Sequence, residues 1–154
     1  MPGAKKTDPL KEIAVLRVCF DGKRSVSRDI EIRAASSLYA LAEAIIIDAF
    51  GWDLDHAFGY YDNLKRHYDS TDRYELFADM DDCENYGPVE PKSVKKTKIH
   101  DVFDAPGKKM LFLFDYGDEN LFTVELVAFR AKESKVRYPL VVNSKGKAPE
   151  QYAA

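Results

Sequence analysis

The sequence predicts an α+β domain in which a curved, roll-like antiparallel sheet packs on one main helix. Three observations predict it. Apolar runs of strand length flank turn clusters at Asp21-Gly22 and at 115–120, the pattern of β-hairpins. Only the segment 37–50 carries a sustained apolar stripe at helical spacing. The chain has 154 residues, 45% of them apolar and 32% charged, which is enough apolar material for one core and too much for a disordered chain. A single domain over 1–154 is expected, with 1–10 and 144–154 as flexible tails.

The elements follow in order. Residues 12–20 are rich in apolar and β-branched types and predict a strand. Ser25 to Arg33 alternates, with Ile30 and Ile32 on one face and Ser27, Asp29, Glu31 and Arg33 on the other. The helix at 37–50 carries Leu38, Leu41, Ala42, Ile45 and Ala49 on its stripe, with Ser36 as N-cap. Tyr39, Ile46 and Ile47 widen that stripe. Gly51 suits the left-handed residue that ends a helix, and Trp52 then packs back on the last turn near Ile47. Residues 57–62 predict a short strand. The segment 69–90 reads as an exposed acidic loop, perturbed only by a short strand around 74–78. A short second helix is expected at about 98–104, capped by Thr97. Met110 to Phe114 is continuously apolar, as in a central strand. Leu121 to Phe129 pairs with it across the turn. A final strand at 138–142 contains Pro139, which places it at a sheet edge.

Composition excludes several function classes. The longest apolar run is five residues, Met110 to Phe114, far below the roughly 20 that cross a membrane. The N-terminus has no apolar stretch of the secretory type, so a reducing cytoplasm is the expected compartment and Cys19 and Cys83 are expected to stay unpaired. Cys19 reads as a small core residue. Acidic neighbours make Cys83 a poor thiolate. No zinc spacing, phosphate-binding glycine loop, nucleophile elbow or zincin motif is present. No cofactor and no metal are expected. Asp79, Asp81 and Glu90 imitate positions 1, 3 and 12 of a calcium loop, but Glu84 stands where that loop needs glycine.

Charge is segregated although the net value is only −3. Residues 69–90 hold eight acids against Arg73, a balance of −7. Residues 130–147 hold Arg130, Lys132, Lys135, Arg137, Lys145 and Lys147 against Glu133, a balance of +5. Such segregation steers partners by sign. Arg130, Lys132, Lys135, Arg137 and Tyr138 are the candidate binding residues, for a protein or another anionic partner. Nucleic acid is expected to bind weakly there if at all, given the overall acidity.

His56 stands beside Asp53 and Asp55, and a carboxylate next to an imidazole orients the ring for acid–base work. Asp115 and Asp118 flank Gly117 in the turn after the central strand. They are candidate catalytic residues with His56, or else turn-forming residues with Gly117 in the left-handed region. His67 and His100 have no partner in sequence.

Taken in order, these motifs resemble the plasmid pRiA4b ORF-3-like family over about residues 12–150. The residues that carry the resemblance are Gly51-Trp52 followed by His56, then Phe58 and Tyr60, then Phe114-Asp115-Tyr116-Gly117-Asp118, then Arg137-Tyr138-Pro139 and Ala148-Pro149-Glu150. The chain departs from the family's pattern at Asn120 and Phe122, where Trp and His are usual, and at Phe58, where a second His is usual. Val141 and Lys147 or Ala148 stand near the family's closing cysteines. The resemblance implies an α+β roll-like domain, a prokaryotic mobile-element setting and no particular substrate. It leaves Trp52, His56, Asp115, Gly117 and Asp118 as the shared residues.

Three functions are compatible with these features. The leading one is a non-catalytic binding or adaptor module. The second is a small hydrolase or metal-dependent enzyme using His56 with Asp115 or Asp118. The third is weak nucleic-acid binding through 130–147.

Overall fold

The computed structural model describes residues 8–80 and 90–152. Eight strands form one open sheet: β1 Ile13–Phe20, β2 Ser27–Arg33, β3 Phe58–Tyr61, β4 Arg73–Glu75, β5 Lys92–Ser93, β6 Lys109–Phe114, β7 Asn120–Arg130 and β8 Leu140–Lys145. Their order across the sheet is β5-β4-β3-β6-β7-β1-β2-β8. All neighbours are antiparallel except the short pair β4 and β5. The α+β class is as predicted, with a mixed rather than purely antiparallel sheet. β8, with Pro139 just before it, is an edge strand as expected.

One sheet face and the main helix enclose the core, which holds Leu16, Ile30, Ile32, Leu41, Ile45, Tyr60, Phe112 and Phe122. The alternation read from β2 places Ile30 and Ile32 there. β7 departs from regular alternation at a bulge opposite Val15 and Leu16.

The main helix, α1, runs Leu38–Glu43 and continues as a π-helix over Ala44–Ala49. Ser37, not Ser36, is the cap: its Oγ accepts from the Ala40 N–H at 3.0 Å. Three consecutive isoleucines at 45–47 weaken the α geometry, because branched side chains crowd the preceding turn. The wider turn has two consequences. Ile46 is buried while Ile47 is exposed, so the stripe is narrower than predicted. The closing hydrogen bonds are also displaced, with Gly51 N–H on Ile47 O and Trp52 N–H on Ile46 O, one residue further back than in the usual Schellman end. Gly51 has φ 69° as predicted.

Trp52 therefore does not pack on Ile47. It is buried among Phe20, Phe50, Phe114 and Phe122, with ring centroids 5.7 to 6.4 Å away. Offset and edge-on aromatic contacts of this kind add to the area they bury. Arg28 closes the same end of the helix. It is buried, donates to the carbonyls of Ala49, Ser27 and Lys145 at 2.8–3.2 Å, and lies 5.1 Å from the Phe50 ring. A cation placed on the carbonyl end of a helix is favoured by the helix dipole.

Three expectations need correction. The second helix, α2, spans only Ile99–Val102, and the Thr97 hydroxyl donates to Ser93 O instead of capping it. The short strand expected around 74–78 in the exposed acidic segment is β4, Arg73–Glu75, with Tyr74 and Glu75 buried, and a 3-10 turn follows at Leu76–Asp79. Residues 81–89, including Cys83, lie outside the described residues. The C-terminal segment is docked rather than frayed. β8 runs on to Lys145, Trp52 Nε1 donates to Pro149 O at 2.8 Å, and Gln151 bonds both backbone groups of Asp53. Gly146, at φ 77°, passes so close to the β1–β2 turn that an added Cβ would lie 2.1 Å from Ser25 O. Of the N-terminal tail, residues 8–11 form a capped 3-10 turn, and 1–7 lie outside the described residues.

Trp52→Ala is expected to lower stability by about 3–5 kcal/mol, read as a shift in the urea unfolding midpoint. A midpoint within a few tenths of a molar of the parent would refute this role.

Candidate functional site

The residues shared with the resembling family meet at one end of the sheet. Gly51 ends the helix and sends the chain past the buried Trp52 to His56, just before β3. β6 ends at Phe114, and the next residue, Asp115, opens the turn to β7. The His56 ring stands edge-on to Phe114 at 6.0 Å. Its Nδ1 lies 2.7 Å from Asp55 Oδ1 and its Nε2 lies 3.6 Å from Asp115 Oδ2. Asp55 is engaged twice more, by Gln151 Nε2 at 3.1 Å and by the Tyr152 hydroxyl, whose ring also packs on His56.

The turn itself explains Asp115. It takes φ 69°, and its N–H bonds to Ala57 O while its carbonyl accepts from the Glu119 N–H. Oδ1 accepts from the backbone N–H groups of Gly117 and Asp118 at 3.1 and 3.3 Å, a short side-chain-closed turn. The left-handed positions are thus Asp115 and Glu119, not Gly117. Asp tolerates that region because its carboxylate satisfies local N–H groups. Gly117 serves a different need: a Cβ there would come within 3.3 Å of Asp115 Oδ1. Asp118 makes no side-chain bond to His56, although its charge favours the imidazolium.

Electrostatics follow from this geometry. The His56 pKa is raised, first by its hydrogen bond to Asp55, then by the charges of Asp115, Asp55 and Asp118, with burial opposing. Asp55 is lowered, first by the Tyr152 hydrogen bond and with help from His56. Tyr152 is pushed up to about 12, first by the same bond. His56 thus faces a carboxylate at each nitrogen, an arrangement that favours the imidazolium over the neutral ring.

A second polar group lies on the other sheet face, beneath the same turn. The Tyr61 hydroxyl donates to Glu75 and meets the Tyr116 hydroxyl at 2.6 Å. Arg73 Nη2 reaches Glu75 at 3.2 Å. Burial drives the Tyr61 and Tyr116 hydroxyls well above their ordinary pKa and holds His67, packed 5.0 Å from Tyr61, below its own. Gly59 leaves the room: a Cβ there would stand 2.7 Å from the Tyr116 hydroxyl. Sequence reasoning missed this group because it set the short strand in an exposed acidic segment and gave it no partner strand. Period-two alternation through Arg73 and Glu75 was the available signal.

The basic candidates divide. Arg130 is engaged by Glu31 and Glu133, each at 2.7 Å. The Tyr138 hydroxyl accepts from the Glu133 N–H. Lys132 lines an open cavity of about 240 Å³ with Glu12, Ile13, Arg33 and Ala35. Lys132, Lys135, Arg137, Lys145 and Lys147 form no ion pair among the described residues. Asp79 accepts from Ser93 Oγ and from the N–H groups of Val94 and Lys95, which removes it as a free ligand. Among the described residues no cluster of three or more His, Cys, Asp or Glu is placed to hold a metal ion. No described helix is long and apolar enough to cross a membrane.

Two predictions follow from this chemistry. Because the folded pKa of His56 lies above the unfolded value near 6.5, its contribution to stability is complete at low pH and is lost as pH rises through the folded value. The urea midpoint is expected to fall as pH rises above about 6.5, and to fall less in His56→Gln; parallel profiles would overturn this. Asp115→Asn keeps an acceptor and tolerates φ 69°, so it is expected to fold; Asp115→Val keeps neither property and is expected to lose at least about 2 kcal/mol more. Equal urea midpoints for the two variants would contradict it.

The comparisons with known proteins agree with this architecture. The chain matches the family described as plasmid pRiA4b ORF-3-like protein over residues 12–152, from the start of β1 to the tail tyrosine. A crystal structure of a protein of unknown function, MM3350 from Methanosarcina mazei Go1, superposes with a TM-score of 0.72 at 22% identity. It covers 92% of this chain and 75% of its own, and at that identity the likeness concerns the fold. No curated protein matches. The chain belongs to the plasmid pRiA4b ORF-3-like family.

Proposed function

We propose that the protein is a non-catalytic binding module that takes an anionic partner on its basic side. One contrast carries the reading. His56 and Asp115 of the family motif are engaged with each other, with Asp55 and with turn N–H groups, and Asp55 is held by the tail, whereas Lys132, Lys135, Arg137, Lys145 and Lys147 are exposed and unpaired among the described residues. Unpaired like charges on one side of a domain favour association with the opposite sign. The cytoplasm is the compartment we assign, where the buried Cys19 stays a thiol. A prokaryotic, mobile-element setting belongs to the same reading, since the family takes its description from a plasmid.

The test is fluorescence anisotropy with labelled polyglutamate and with a twelve-nucleotide single-stranded DNA. Wild-type protein is expected to bind polyglutamate, with affinity falling steeply as salt rises. Lys132→Glu combined with Lys135→Glu is expected to weaken it at least tenfold at unchanged melting temperature. An equal affinity in that variant would overturn the proposal. So would a hydrolytic activity lost in both His56→Ala and Asp115→Asn with the fold intact, which would assign acid–base chemistry to the motif.

A further inference from the structure

The two ends of the sheet differ. At one end β5 is only two residues long, too short to template another chain. At the other, β8 presents six residues, of which all but Val141 are exposed. Its inner edge pairs with β2; its outer edge, at the end of the strand order, has no neighbouring strand among the described residues. Leu140 and Val142 are 41% and 46% exposed. Proteins commonly blunt such edges with lysine, proline, a bulge or short length. Here Pro139 stands before β8 and Lys145 ends it, while the stretch Leu140–Ser144 is uncharged. The only interruption is a bulge at Val142, which faces no partner residue across β2.

The cations bracket this edge. Lys135 and Arg137 precede the strand, and Lys145 and Lys147 end and follow it. Six residues of strand span roughly 20 Å, so the two positive ends are separated by an apolar, hydrogen-bonding middle. We propose that the outer edge of β8 is the docking site for an extended acidic peptide that joins the sheet as a ninth strand. Carboxylates at both ends of that peptide face the flanking cations, and β-branched side chains lie beside Leu140 and Val142. The mode is strand addition, in which main-chain hydrogen bonds supply affinity and side chains supply selection. This inference rests on the anionic-partner reading above. Charge decides the occupant: two β8 edges of the same protein would bring like cations together, which opposes pairing.

The probe is a labelled octapeptide, Glu-Asp-Thr-Val-Thr-Val-Glu-Asp, with two N-methylated counterparts that block alternate sets of amides. In an antiparallel pair only every second residue directs its N–H toward the neighbouring strand. One N-methylated series is therefore expected to bind at least about tenfold more weakly than the parent, and the other equally well. Amide hydrogen exchange within Leu140–Lys145 is expected to slow when the parent peptide is present. In Arg137→Glu with Lys147→Glu, the acid-ended peptide is expected to lose at least tenfold and a lysine-ended counterpart to gain. Equal binding of all three peptides would overturn strand addition while leaving the anionic-partner reading intact. A preference for the single-stranded DNA over the peptide, or a dimer that protects β8 without peptide, would overturn the peptide assignment. Failure of peptide and polyglutamate alike would overturn both.

Discussion

The burial of Trp52 is the constraint on which the rest of the structure depends. Its ring is held by aromatics from β1, the helix end, β6 and β7, and its N–H is held by the C-terminal segment. The helix end, β1, the β6–β7 hairpin and the C-terminal segment thus share one side chain. A buried indole needs a partner for its N–H, and the carbonyl of Pro149 supplies it. Once the indole is fixed, the chain leaving it can only run over the end of β6, and His56 arrives beside Asp115. The motif of glycine, tryptophan and histidine is therefore a positioning device before it is anything else.

Arg28 complements this from the opposite side of the helix end. It is buried with no carboxylate partner among the described residues, its charge balanced by three carbonyl dipoles from β2, the helix and β8. Burial of a charge is tolerated only when hydrogen bonds replace its hydration. The helix terminus and the end of the edge strand are consequently held to each other by one guanidinium.

Much of this was legible in the sequence, for identifiable reasons. The strands with one buried face announced themselves by alternation, and β6 by its unbroken apolar run. Gly51 and Trp52 predicted the helix end because few residues fit a left-handed position. The π geometry was not legible, since a run of branched residues weakens an α-helix without fixing where or how it widens. The docked tail was missed because Gln151 and Tyr152 are polar residues whose partners, Asp53 and Asp55, lie nearly a hundred positions earlier. The meeting of His56 with Asp115 was anticipated as a pairing. What local sequence does not contain is the third party, Tyr152, that holds Asp55 in place. The conformation of Gly117 was misjudged for a similar reason: Asp115 has the means to adopt a left-handed conformation itself.

The strand order has a consequence for how the chain is made. The hairpin of β6 and β7 lies at the middle of the sheet, with the β1–β2 pair on one side and the β3–β4 pair on the other. During synthesis both flanking pairs emerge before the centre exists. β1 has to wait for Arg130, its partner opposite Ile13, which at about 5–20 residues per second leaves its apolar edge open for on the order of ten seconds. The nascent chain is therefore most vulnerable to mispairing between ribosome-bound neighbours in that interval, and nascent-chain chaperones have a defined window in which to act on it.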